Sequence, residues 1–98
     1  MLVLLVQFVV KPGTEQQARK FMREMEENTR REPGCRLYIG SQSTQDPRRF
    51  CFYEMYDDQA ALDQHRAAPY FAEFVTNGLG KLMESSVREL FRPVEDQD

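Results

Sequence analysis

An α+β domain of ferredoxin-like type, ordered β-α-β-β-α-β, is predicted by three observations. Residues 2–10 are a continuous Val- and Leu-rich run, the pattern of a strand covered on both faces. Two β-prone runs, 35–44 and 50–56, flank the turn Gln45-Asp46-Pro47-Arg48. Two segments with apolar residues at helical spacing follow the first and third of these strands. The predicted sheet is antiparallel with both helices on one face.

In the first strand Leu2, Leu4, Val6, Phe8 and Val10 share one face, and Val3, Leu5 and Val9 the other. Helices of the same chain cover one face. The other needs a second cover, and in a 98-residue chain a second copy is the natural candidate. A homodimer through the sheet face is therefore expected. Lys11-Pro12-Gly13 is a turn, and Thr14-Glu15-Gln16-Gln17 fits a capping box. Ala18, Phe21, Met22, Met25 and Thr29 then fall on one helical face. The pairs Glu26/Arg30 and Glu27/Arg31 lie at i,i+4 on a face that reads as solvated, and Pro33-Gly34 ends the helix.

Cys35, Leu37 and Ile39 alternate with Arg36, Tyr38 and Gln42, a half-polar strand. Thr44 is expected opposite Arg49 and Cys51 opposite Gln42, which keeps Cys35 and Cys51 too far apart for a disulfide. Phe50, Phe52, Glu54 and Tyr56 share one strand face. Asp57 or Asp58 caps the next helix, where Leu62 and His65 lie on one side. Pro69 interrupts it, and Phe71, Phe74 and Val75 continue the apolar stripe. Asn77-Gly78-Leu79-Gly80 reads as a loop or frayed turn and 85–91 as the last strand. One domain over 1–93 and a disordered tail over 94–98 complete the expectation.

Composition narrows the function. A net charge of −3 disfavours nucleic acid. The apolar start lacks the basic and cleavage features of an export signal and is too short to span a bilayer, so a cytoplasmic protein without membrane contact is expected. Glycine-rich phosphate loops, paired cysteines and paired histidines at ligand spacing are missing from the sequence, and with a single histidine a protein-ligated metal is not expected.

His65, the only histidine, can move a proton near neutrality; the alternative is a helix histidine bonded to a neighbour with no catalytic part. Glu54, among aromatic residues, can orient His65 or act as a base; otherwise it partners an arginine such as Arg88. Tyr56 and Tyr70 offer hydroxyls to a developing oxyanion or simply pack. Phe52, Phe71, Phe74 and Leu62 suit the wall of an apolar pocket.

Glu54-x-Tyr56, Leu62-x-x-His65 and Ala68-Pro69-Tyr70-Phe71, with Lys11-Pro12-Gly13 and Glu32-Pro33-Gly34-Cys35 before them, resemble the antibiotic biosynthesis monooxygenase superfamily, which includes quinol monooxygenases and an autoinducer-2-processing enzyme. The resemblance runs to about Arg92. It implies a dimeric α+β barrel, a pocket between sheet and helices for small aromatic or polyketide-like compounds, and oxygen chemistry without flavin, haem or metal. His65 matches the family's helix histidine. Tyr70 stands where relatives often carry a second histidine, and Tyr56 where they often carry tryptophan, which disfavours haem degradation. The leading expectation is a cofactor-independent monooxygenase acting with molecular oxygen on a phenolic, quinol-like or polyketide-like substrate. A non-catalytic dimeric stress-response or ligand-binding domain, and an isomerase of a small phosphorylated ketone using Arg36, Arg66 or Arg88, are the alternatives.

Overall fold

The run 2–10 forms strand β1 (Leu2–Val10) and lies inside the sheet rather than at its edge. In the computed structural model, which describes residues 1–97, helix α1 (Glu15–Thr29) follows it, then the hairpin β2 (Cys35–Gln42) and β3 (Arg49–Tyr56). Helix α2 (Gln59–Ala67), a helical segment α3 over 69–82, and strand β4 (Met83–Phe91) complete the expected order. The strands run β2-β3-β1-β4 with every neighbouring pair antiparallel.

Strand alternation places the core on one side of the sheet. Leu4, Phe8 and Val10 of β1 are buried beside Phe50, Phe52, Glu54 and Tyr56 of β3. Ala18, Met22 and Met25 of α1 and Leu79 of α3 close over Phe8, Phe50 and Phe52. Ala61 and Leu62 of α2 close over Leu4 and Tyr56. On the opposite face Ile39, Tyr53, Val87 and Phe91 remain exposed.

Several local details depart from the sequence expectation. The Thr14 hydroxyl donates to the Lys11 carbonyl at 2.7 Å, inside the preceding turn, so the capping box does not form. At α2 the expected cap does form: Asp58 Oδ1 accepts from the Ala61 N–H at 2.9 Å. In β2 it is Tyr38 that faces the core and Ile39 that faces outward, because a register shift between Cys35 and Leu37 re-aims the strand. Cys51 pairs with Ser41, one residue from the expected Gln42, while Cys35 faces Tyr56; both thiols are free.

The helix charges expected to be fully solvated are partly used on the sheet edge. Arg30 donates twice to the Tyr38 carbonyl, at 2.9 and 3.1 Å, and Glu26 accepts from the Gly40 N–H at 2.9 Å. These bonds satisfy backbone groups that an edge strand otherwise leaves open, and they fix Tyr38.

The expected loop at 77–80 is helical. Helix α3 begins with Pro69 in its first turn, widens to π-type turns over Ala72–Leu79 and ends with Gly80–Leu82. Gly78 permits this, since a Cβ there would come within 3.2 Å of the Phe21 ring on α1. Strand β4 starts at Met83, two residues before the expected Ser85, and is exposed along nearly all its length. Val94–Asp96 form a single 3-10 turn, with Asp96 lying 3.4 Å from the Met1 amino group. The expectation of a disordered tail over 94–98 falls in part on Asp98, outside the described residues. Among the described residues, no helix is long and apolar enough to cross a membrane.

Candidate functional site

Helix α2 carries Ala61, Leu62 and His65 on its buried face. The His65 ring, 2% exposed, is enclosed by the rings of Tyr38, Tyr56 and Phe71 at 5.3–5.6 Å between centroids. Phe71 meets it edge-on, at 83°.

Two carboxylates address the two ring nitrogens. Glu32 Oε2 lies 3.1 Å from His65 Nδ1, and Glu54 Oε1 lies 3.9 Å from Nε2. With Nδ1–H donating to Glu32, Nε2 is the unprotonated nitrogen, turned toward Glu54. Burial holds the His65 pKa below its ordinary value, with Glu32 acting in the opposite sense. Burial also raises the Glu54 pKa from 4.5 to about 7, against the lowering influence of the Tyr56 hydrogen bond and of Arg88 and Arg66. Near neutrality the pair is a neutral imidazole beside a carboxyl poised to gain or lose a proton, the condition for acid–base work.

Glu32 is the residue that sequence reasoning missed. It reaches His65 through the turn after α1, where Glu32 N–H donates to the Thr29 carbonyl at 3.0 Å and Cys35 N–H to the Glu32 carbonyl at 3.1 Å. Gly34 brings this turn against α2: a Cβ on Gly34 would sit 2.5 Å from Ala61 Cβ. The Gly34 carbonyl accepts from Asp57 N–H at 2.9 Å, tying the turn to the entry of α2. The only sequence signal was Glu32's place in the Glu32-Pro33-Gly34-Cys35 motif.

Beside His65 and Glu54 lies a cavity of about 140 Å³. Leu4, Val6, Phe52, Phe71, Val75 and Leu79 form apolar walls, and Tyr38, Glu54, His65, Arg66, Ser86 and Arg88 supply polar groups. The wide turns of α3 deliver Val75 and Leu79.

Of the anticipated site residues, the cavity therefore gathers His65, Glu54, Phe52 and Phe71. The expected oxyanion donors are engaged inside the protein instead. Tyr56, fully buried, donates to Glu54 Oε1 at 2.6 Å, and Tyr70 donates to Glu32. Burial, reinforced by the neighbouring carboxylates, pushes both phenol pKa values upward. Leu62 is spent in the core against Leu4 and Tyr56, and Phe74 packs on Phe21, so neither lines the cavity. Arg36 pairs with Asp57 and also lies off the cavity. The Cys35 thiol, pushed up to about 11 chiefly by burial, is no nucleophile. Among the described residues, no group of three or more His, Cys, Asp or Glu is placed to hold a metal.

Comparison with known proteins gives one consistent result. The sequence profile of the antibiotic biosynthesis monooxygenase family matches residues 1–77. A crystal structure of an antibiotic biosynthesis monooxygenase superposes with a TM-score of 0.90 at 32% identity, covering 96% of this chain and 99% of that one. A protein from Shewanella oneidensis gives a TM-score of 0.86 at 30% identity, covering 92% and 87% of the two chains. An uncharacterized protein of Synechocystis is 31% identical over 88 residues, or 90% of this chain; the chain spans 60% of that relative's length.

Proposed function

The chain belongs to the antibiotic biosynthesis monooxygenase family, and from that premise we propose that it is a cofactor-independent monooxygenase of small phenolic, quinol-like or polyketide-like compounds. The observation that carries this reading is the cavity lined by His65 and Glu54, whose Nε2 and Oε1 lie 3.9 Å apart. A scaffold domain gains stability by filling such a space, because an apolar void forfeits packing.

The chemistry follows from the groups in place. A phenol enters the apolar hollow with its hydroxyl toward His65, and Nε2 takes the proton. Glu32 holds the imidazolium that results, and Glu54, near its pKa, relays the proton onward. The electron-rich anion passes an electron to molecular oxygen in a site shielded from water. For a hydroquinone the balance is quinol plus O2 to hydroxyquinone plus water: one oxygen atom joins the ring, the other leaves as water, and the substrate supplies all four electrons. Tyr56 and Tyr70 act by holding Glu54 and Glu32 in position.

The functional unit in this reading is a homodimer. Ile39, Tyr53, Val87 and Phe91 crowd the open sheet face, and a shallow groove lined by Val3, Leu5, Tyr53, Met55, Phe91 and Val94 adds to it. Apolar surface of this extent on one face calls for a partner, and a second identical face is the simplest match.

The test is oxygen uptake with a panel of hydroquinones and anthrones, with 18O2 to follow the inserted atom. His65→Ala is expected to lower kcat by about 10²- to 10⁴-fold, the usual worth of a general base. Turnover unchanged in that variant would remove His65 from the reaction.

A further inference from the structure

Two arginines border the cavity and have no partner among the described residues. Arg66 stands in the last turn of α2, and Arg88 lies on the helix-facing side of β4, opposite Val6. Arg30, Arg31, Arg36 and Arg48 each form an ion pair. Among the described residues Arg66 and Arg88 form neither an ion pair nor a side-chain hydrogen bond. Both act electrostatically on Glu54, so their charge is felt inside the cavity. Ser86 adds a hydroxyl donor to the same lining.

Beyond these groups and Tyr38, Glu54 and His65 the lining is apolar, and the space is small. At about 140 Å³ it is close to the apolar cavity of about 150 Å³ that accepts one benzene ring. The ligand that matches is thus one ring with an anionic substituent, the ring among the aliphatic and aromatic walls and the anion at the arginines. The charge balance favours a single negative charge. Arg66 sits at the carbonyl end of α2, where the helix dipole opposes further negative charge, and Glu54 stands close by. Planar carboxylates also match the guanidinium fork.

We propose that Arg66 and Arg88 form a carboxylate subsite, and that the ring bound in this cavity is a monocyclic phenol or hydroquinone bearing one carboxylate. The identity of the ring as a phenol rests on the monooxygenase reading; the charge preference does not. The proposal narrows the substrate away from multi-ring polyketides.

Calorimetric titration without oxygen separates the two. The probes are 4-hydroxybenzoate, its neutral isostere 4-hydroxybenzamide, and 4-hydroxyphenyl phosphate. The acid is expected to bind at least about tenfold more tightly than the amide, as charge-assisted hydrogen bonds allow, and no more weakly than the phosphate ester. Arg66→Gln and Arg88→Gln each reduce the acid-to-amide ratio, and the double variant brings it to about one. Equal binding of acid and amide by the wild type, a ratio that persists in the double variant, or tighter binding of the phosphate ester would overturn the proposal. Oxygen uptake with 1,4-hydroquinone and 2,5-dihydroxybenzoate is measured in parallel. A clear acid preference without uptake on either compound leaves the subsite standing and removes the oxygenase. Uptake on 1,4-hydroquinone with equal binding of acid and amide does the reverse.

Discussion

His65 Nδ1 lies 3.1 Å from Oε2 of Glu32, a residue 33 positions earlier in the chain, and this contact decides which imidazole nitrogen is left to face Glu54, its neighbour in the cavity lining. Without an acceptor at Nδ1, the two neutral tautomers would compete and the basic nitrogen would not be fixed. Tyr70 bonds the same carboxylate, so the turn after α1 and the start of α3 converge on one group.

Glu32→Gln is expected to lower the His65 pKa further, because Glu32 supports the protonated ring by hydrogen bond and by charge. The single histidine gives one imidazole signal, so an NMR titration reads it directly. A pKa that stays put or rises would show that Glu32 does not hold Nδ1.

Glu54 makes stability depend on pH in a particular sense. Its carboxyl titrates at about 7 in the fold against 4.5 as the ordinary value, so between these pH values the folded state binds more protons than the unfolded state. Stability is then fully present below 4.5 and falls as pH rises through 7, by about 3 kcal/mol. His65, with its lowered pKa, works oppositely below its ordinary value. Glu54→Gln keeps an acceptor for Tyr56 and removes the titration. Its stability relative to wild type, from urea unfolding at pH 5 and pH 8, is expected to be higher at pH 8 by about that amount. A difference independent of pH would place the Glu54 pKa near normal.

Gly34→Ala is expected to destabilise by about 1–3 kcal/mol, since the added methyl would overlap Ala61 Cβ in a packed turn. The strain falls between Glu32 and α2, so the His65 resonance is expected to move as well. Unchanged thermal stability would mean that the turn can draw back from α2 without cost.

Sedimentation equilibrium tests the homodimer. The wild type is expected at twice the chain mass. Val87→Glu, placing a charge at a side chain 67% exposed on the open face, is expected to weaken association by about 2 kcal/mol or more while the monomer stays folded. A monomeric wild type at tens of micromolar would end the dimer reading.

The architecture and the central residue of the site are legible in the order of the residues alone. The two-sided apolar run 2–10, the β-prone 50–56 and the helical spacing of Ala18, Met22 and Met25 each have one arrangement that buries them, and the sheet order follows. His65 was legible because α2 has a clear cap and one apolar face. Glu32 and Tyr38 were not legible. Glu32 reaches His65 only through a turn that Gly34 lets dock on α2. Tyr38 points inward only because of a register shift and two helix charges gripping the β2 edge. The helix through Gly78 likewise depends on contact with Phe21 of α1. Periodicity reports which face of an element is apolar, because that is local. Which carboxylate meets which nitrogen depends on contacts between distant segments, and only the packed chain decides them.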